Sequence, residues 1–224
     1  MTFSIAARCA RTGALGVAIS SSSPAVGARC PNVRAGVGAV STQNVTDPRL
    51  GPAVLDALAA GSDAHAALAQ VSATASFAEY RQLTAVDRNG RSAVFSGDKS
   101  LGINAEELAP DVAAAGNLLA SAEVIAAMVQ QFLSDDEREL GDRLVRALEA
   151  GLRSGGEAGP VRSAAVLVAT DVAWPSTNLR VDWDDDPIGQ LRAAHDVWAP
   201  QARDYVTRAL DPTSAPSYGV PGDE

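Results

Sequence analysis

Two short apolar runs at the start of the chain constrain the fold most. Thr2-Phe3-Ser4-Ile5-Ala6-Ala7 and Leu15-Gly16-Val17-Ala18-Ile19-Ser20 both read as strands, with Arg11-Thr12-Gly13-Ala14 between them. A glycine at that point supplies the positive φ of a tight hairpin turn. Chain ends fray unless something ties them down, so a hairpin opening one residue after Met1 is unusual. If Met1 is removed, Thr2 carries a free amine beside a hydroxyl. The hydroxyl is then a nucleophile and the amine, with an ordinary pKa of about 7.7–8.0, a base for its proton. The same residues also suit a plain N-terminal strand, and this stretch alone leaves both readings open.

The rest of the chain narrows the chemistry. With 224 residues, 46% of them hydrophobic, it can bury one sizeable core. A net charge of −9 argues against nucleic acid or an anionic membrane as partner. Cys9 and Cys30 are the only cysteines, too few for a disulfide scaffold or a zinc site. Cys30 sits in a small apolar setting typical of buried thiols, which makes it a poor nucleophile. His65 and His195 are the only histidines. Both fall in alanine-rich helical stretches and read as surface residues, which leaves no basis for a Ser-His-Asp triad or a histidine metal site. Gly36-Val37-Gly38 lacks the third glycine of a dinucleotide loop. Without a charged leader or an apolar run of about 18–20 residues, a soluble cytoplasmic protein is expected, needing no cofactor and no metal.

Along the chain, Val33 to Thr42 reads as a third strand, and Gln43 to Pro48 as polar loop. Two helices follow, one over Ala53 to Gly61 and one capped by Ser62 or Asp63. Tyr80 to Asp87 and Ser92 to Ser96 form a hairpin about Arg88-Asn89-Gly90-Arg91, with Arg81 and Gln82 on opposite faces. Val112 to Ala115 is a short strand ending at Gly116-Asn117, where a ligand could be met. Val124, Met128 and Phe132 share one helix face; Asp135-Asp136-Glu137 opens the next helix, whose stripe is Leu140, Leu144, Val145 and Leu148. Gly155 to Pro160 is a flexible loop delivering Arg162 to the strand Ala164–Ala169. Asp184-Asp185-Asp186 caps a closing helix with Pro187 near its start, since the spacing of a calcium loop is absent. Residues 1–209 form one domain and 210–224 an unstructured tail. Helices grouped between hairpins favour antiparallel sheets covered by helices, an α+β chain for which a four-layer αββα sandwich fits.

Taken jointly and in order, six segments resemble a known family: Thr2-Phe3-Ser4-Ile5, Leu15-Gly16-Val17-Ala18, Ala25-Val26-Gly27-Ala28, Arg34 to Val40, Gly116-Asn117-Leu118-Leu119 and Arg162-Ser163-Ala164. The family is domain of unknown function 1028, grouped with the Ntn (N-terminal nucleophile) hydrolases, and the likeness runs roughly from Thr2 to Trp198. It implies the αββα sandwich, with the first residue of the N-terminal strand in a cleft between sheets, cleaving an amide through an acyl-enzyme. Thr2 matches that position. Related proteins often carry a lysine shortly after the second strand, where this chain has Ser21-Ser22. A serine cannot supply that charge, so the base role falls to the terminal amine. Asn117 and Gln43 are then candidates for the oxyanion, and Arg81 and Arg162 for a substrate carboxylate. The expected partner is a small amide or ureido compound, with the candidate arginines favouring an anionic one, bound by a homo-oligomer. A non-catalytic binding or assembly protein on the same fold is the rival reading.

Overall fold

In the computed structural model, which describes residues 2–220, the opening hairpin consists of β1 (Thr2–Arg8) and β2 (Leu15–Ser21). Gly13 turns it at φ +74°, where a side chain would be strained. The first strand is interior: β2 lies on one flank and β8 (Val112–Asn117) on the other. With β7 (Ala105–Ala109), β9 (Ser163–Ala169) and β10 (Thr177–Val181) they form an antiparallel sheet ordered β10-β9-β2-β1-β8-β7. A second antiparallel sheet holds β3 (Pro31–Arg34), β4 (Gly38–Asn44), β5 (Arg81–Asp87) and β6 (Ser92–Ser96) in chain order.

The single strand expected over Val33 to Thr42 is thus two. Ala35, Gly36 and Val37 turn between β3 and β4, with Gly36 at φ +66°. A run of small apolar residues has no alternation to mark such a turn. Gln43 and Asn44, expected in a loop, close β4. The acidic strand β7, with Glu106 and Glu107 exposed, was not expected either; it is an edge with little burial to impose a pattern.

β1, β2, β8 and β9 are buried on both faces, which is why they read as nearly continuous apolar runs. Phe3, Ile5 and Ala7 point outward into α3 (Glu123–Ser134) and α4 (Leu140–Arg153), against Met128, Phe132, Leu144 and Leu148. Ala6, Val17 and Ala113 point the other way, onto Ala39 and Val86 of the second sheet. That sheet's outer face is covered by α1 (Leu50–Ala59) and α2 (Ala64–Thr74), through Val54, Leu58 and Leu68. The layers therefore run helices, sheet, sheet, helices. Asp63 caps α2 by accepting from the Ala66 amide at 2.8 Å, as its position suggests.

Close packing of helix on sheet shows at Gly16. A Cβ there would stand 2.6 Å from Leu144 Cδ1 and 2.9 Å from the Leu167 carbonyl oxygen. Gly16→Ala is expected to destabilise the fold by about 1–3 kcal/mol, read as a lower urea midpoint at unchanged slope.

One helix start differs from expectation, and one helix was not expected. α4 starts at Leu140, so Asp135, Asp136 and Glu137 precede it, and Asp142 is the acid in its first turn. Arg11, from the β1–β2 turn, donates to the carbonyls of Asp136, Glu137 and Arg138, which holds that segment out of the helix. The closing helix is α5 (Pro187–Trp198), capped by Asp186 through the Gly189 amide, and a short turn over Ala199–Gln201 leads to α6 (Ala202–Leu210). The tail expected to lack structure returns onto α6: Arg208 of that helix lies 4.0 Å over the Tyr218 ring and donates to the Pro216 carbonyl. Residues 221–224 lie outside the described residues. Among the described residues, no helix is long and apolar enough to cross a membrane.

Candidate active site

Antiparallel pairing brings the ends of several strands to one edge of the molecule. Thr2 starts β1, so its neighbours are the ends of β2 and β8, and the start of β9 lies beyond β2. Thr2 pairs with Asn117, and Ser21 with Ser163. Directly paired residues project from the same face. Thr2 follows the alternation of Ser4 and Ala6, so this row of polar side chains faces the second sheet rather than the helices.

Thr2 is 4% exposed, and its hydroxyl donates to Ser21 Oγ at 3.3 Å. Ser21 Oγ lies 2.8 Å from Ser23 Oγ and accepts from the Ser23 amide at 3.1 Å. Ser163 Oγ donates to the Ser23 carbonyl at 2.6 Å and accepts from the Val26 amide at 3.2 Å, which fixes the bend leaving β2. Thr2 thus abuts a run of hydroxyls at the place where the resemblance would put an ammonium.

The facing sheet contributes two glutamines. Gln43 Nε2 donates to Gln82 Oε1 at 2.8 Å and to the Ala115 carbonyl at 3.0 Å, while its Oε1 accepts from Ser4 at 2.6 Å. Gln82 Oε1 also accepts from Asn117 Nδ2 at 3.1 Å, and Gln82 Nε2 donates to Ser96 Oγ at 3.0 Å and the Gly116 carbonyl at 3.2 Å. The donors of Gln43 are therefore spent on tying the sheets together. Asn117 Oδ1 is buried without a partner among the described residues, which leaves an acceptor beside Thr2.

The two arginines are not together. Arg81 donates to the carbonyls of Val45 and Ser76 at the rim of the second sheet. Arg162 donates its amide to the Ser21 carbonyl at 2.8 Å, while its guanidinium pairs with Asp185 and lies 5.8 Å from the Trp183 ring centre. Cys30 is buried against Thr46 Oγ1 at 3.5 Å, and burial pushes its thiol pKa up.

Glu157 was hidden in what reads as a flexible loop. Its segment pairs with Leu119, and its carboxylate accepts from the Ser22 amide at 3.0 and 3.2 Å. It is 4% exposed, and burial pushes its pKa up to about 7 against the opposing pull of the Ser22 bonds. Nothing in a Gly-Gly-Glu-Ala-Gly run announces this. Gln82 could have been found: in β5 it alternates with Thr84 and Val86 on the face that Val86 shares with Ala6.

A carboxyl whose folded pKa exceeds its unfolded value of about 4.3 is protonated in both states at lower pH. As pH rises the unfolded chain ionises first, so the Glu157 contribution to stability falls between about 4.3 and about 7. Glu157→Gln is expected to remove that decline, worth at most about 3 kcal/mol, when urea unfolding of the two proteins is compared from pH 4.5 to 8.

His195, expected at the surface, is 5% exposed, whereas His65 is exposed as expected. No cluster of three metal-ligating side chains occurs among the described residues.

The profile of a family of unknown function (DUF1028) matches residues 2–191. A crystal structure of protein SPO2555 from Silicibacter pomeroyi, described under the same family, is 32% identical. It aligns with a TM-score of 0.83 over 91% of this chain and 94% of that one. Anbu (ancestral beta-subunit) from Yersinia bercovieri aligns over 93% of this chain and 97% of its own at 11% identity and a TM-score of 0.41, a slight likeness. No curated protein matches.

Proposed function

The chain belongs to the family of unknown function DUF1028, and on that footing we propose that it is an amide-bond hydrolase of the N-terminal nucleophile type. Its substrate is a small amide or ureido compound without a large aromatic body, since aromatic residues make up only 4% of the chain. The helix–sheet–sheet–helix stack is taken as the architecture of that class. The observation that carries the reading is Thr2 itself, a buried hydroxyl at the head of an interior strand, on the face between the sheets.

Once Met1 is removed, Thr2 Oγ1 attacks the amide carbon and its proton passes to the Thr2 amine. The C–N bond breaks as that proton moves to the leaving nitrogen, and an ester on Thr2 remains. Water, deprotonated by the same amine, hydrolyses the ester to a carboxylate and restores the hydroxyl. Ser21 accepts the Thr2 hydrogen bond and orients the hydroxyl, but adds no charge. Asn117, opposite Thr2, flanks the reacting carbonyl, while Gln43 supports it through Gln82. Arg162 binds a substrate carboxylate by exchanging its partner Asp185, whose side chain is 94% exposed. Arg81 is a more distant anchor at the rim.

Intact mass of the purified protein, before and after a hydroxyl-directed β-lactone, tests the proposal. Loss of one methionyl residue and a single adduct on Thr2 are the expected results. A retained Met1, or a processed Thr2 that takes no adduct, selects the binding or assembly protein instead. The commitment of both glutamines to holding the sheets together, and serine where a lysine would act, favour that second reading.

A further inference from the structure

At the opposite end of the six-stranded sheet from Thr2, a cavity of about 360 Å³ opens between the β1–β2 turn, the start of α4, and the α5–α6 bend. Its size falls in the range of sites that take small molecules. Val168, Leu140 and Val206 give it an apolar wall, and Thr170 and Ser176 stand at the strand ends.

Two independent features converge on it. First, the N-terminus of α4 borders the cavity at Glu139, Leu140 and Gly141, and no side chain caps it. The acid of its first turn, Asp142, is turned away toward Arg192, Arg138 and Arg146. The first amides of a helix carry partial positive charge and point outward, a setting that favours an anion. Second, the His195 side chain lines the cavity at 5% exposure and makes no hydrogen bond among the described residues. Its Nε2 lies over the first turn of α4: a Cβ on Gly141 would stand 2.7 Å from that atom. Glycine there is what lets the imidazole and the helix amides share one space. The ring makes no bond to the described residues and its edge opens on the cavity, so a ligand there can meet both His195 and the first amides of α4.

We propose that this cavity binds a small aliphatic carboxylate, its carboxylate held by the first amides of α4 and by His195, and its body against Val168 and Val206. Burial and the Arg192 charge lower the His195 pKa, so the ring is neutral near pH 7 and offers one N–H to the ligand. Glu137 and Glu139 at the mouth would meet an amine on the same molecule, which distinguishes an amino acid from a simple acid.

Cys9 supplies a reporter, since it lines the cavity while Cys30 does not. Burial raises the Cys9 thiol, but hydrogen bonds from Thr12 and Arg11 and the Arg11 charge outweigh it, and its pKa lies below the ordinary value. The experiment follows iodoacetamide labelling of Cys9 by peptide mass, with Cys30 as internal control, and titrates three probes by protein NMR. The probes are isovalerate, L-valine and isobutylamine, which carry the acid, both groups, and the amine alone. Isovalerate is expected to slow Cys9 labelling at least fivefold and shift the Gly141 and His195 signals; isobutylamine should do neither. Stronger binding of valine than of isovalerate assigns the acidic mouth to an amine. His195→Gln should weaken isovalerate at least tenfold, and Gly141→Ala should abolish its binding. Equal effects of acid and amine, no protection by either acid, or wild-type affinity in folded His195→Gln would overturn the assignment. The site at Thr2 plays no part in these readouts, so this inference and the hydrolase reading fail independently.

Discussion

Thr2→Ala is expected to abolish β-lactone labelling and any amidase activity of the processed protein, a loss of at least about a thousandfold against the best amide found. Thr2→Ser is expected to keep both, because a serine hydroxyl preserves the nucleophile and its link to Ser21. The contrast matters because Thr2 is also a buried strand residue. If alanine and serine lose labelling equally while both proteins fold, the hydroxyl is structural and the hydrolase reading fails. Ser21→Ala refines the test. It removes the acceptor of the Thr2 hydrogen bond without touching the amine, so kcat should fall more than KM rises if Ser21 orients the nucleophile.

The second large effect is on stability. Gln82→Ala is expected to destabilise the fold by about 3–5 kcal/mol, measured by urea unfolding. Gln82 accepts from both Gln43 and Asn117 and donates to Ser96 and the Gly116 carbonyl, all from an environment with no exposure. Truncation leaves two amide donors and a backbone acceptor buried and unpaired, each costing about 1–3 kcal/mol, plus the space of the lost side chain. Gln82→Glu keeps the acceptor and loses both donors, so it should fall between alanine and wild type. A cost under about 1 kcal/mol for alanine would mean that water replaces the glutamine and that the gap between the sheets is open there.

Much of this architecture was legible because burial on two sides leaves a strong mark. β1, β2, β8 and β9 are covered by helices on one face and a sheet on the other, so their sequences carry few polar residues. The helices α3 and α4 announce themselves by their apolar stripes. What failed lies where burial is one-sided or the partner is remote. The β3–β4 turn hides in small apolar residues, and β7 is an exposed edge. The start of α4 is displaced by Arg11, more than a hundred residues away in the chain. His195 looks like a surface residue on a helix until α4 and α6 close over it.

The site divides the same way. Thr2, Asn117 and Gln43 are at strand ends, where alternation and turn signals point, and they are neighbours in space. Arg81 and Arg162 share that end of the molecule but are already engaged with loop carbonyls and with Asp185. Glu157 and its bond to the Ser22 amide depend on a loop docking against Leu119, just beyond β8, which no local pattern encodes.

Between the sheets the apolar contact joins Ala6, Ala39 and Ala113 with Val17, Val86 and the larger Leu15. Apolar contact carries no direction of its own, so on that side the alignment of the sheets rests on the shapes of these side chains alone. The glutamines add direction, in the manner of pegs in sockets. Gln43 reaches across to Ser4 and the Ala115 carbonyl, and Gln82 to Asn117 and the Gly116 carbonyl. Any slip strands these amides against alanine methyls. The polar end of the interface thus fixes how the two sheets align, and with it which groups face Thr2.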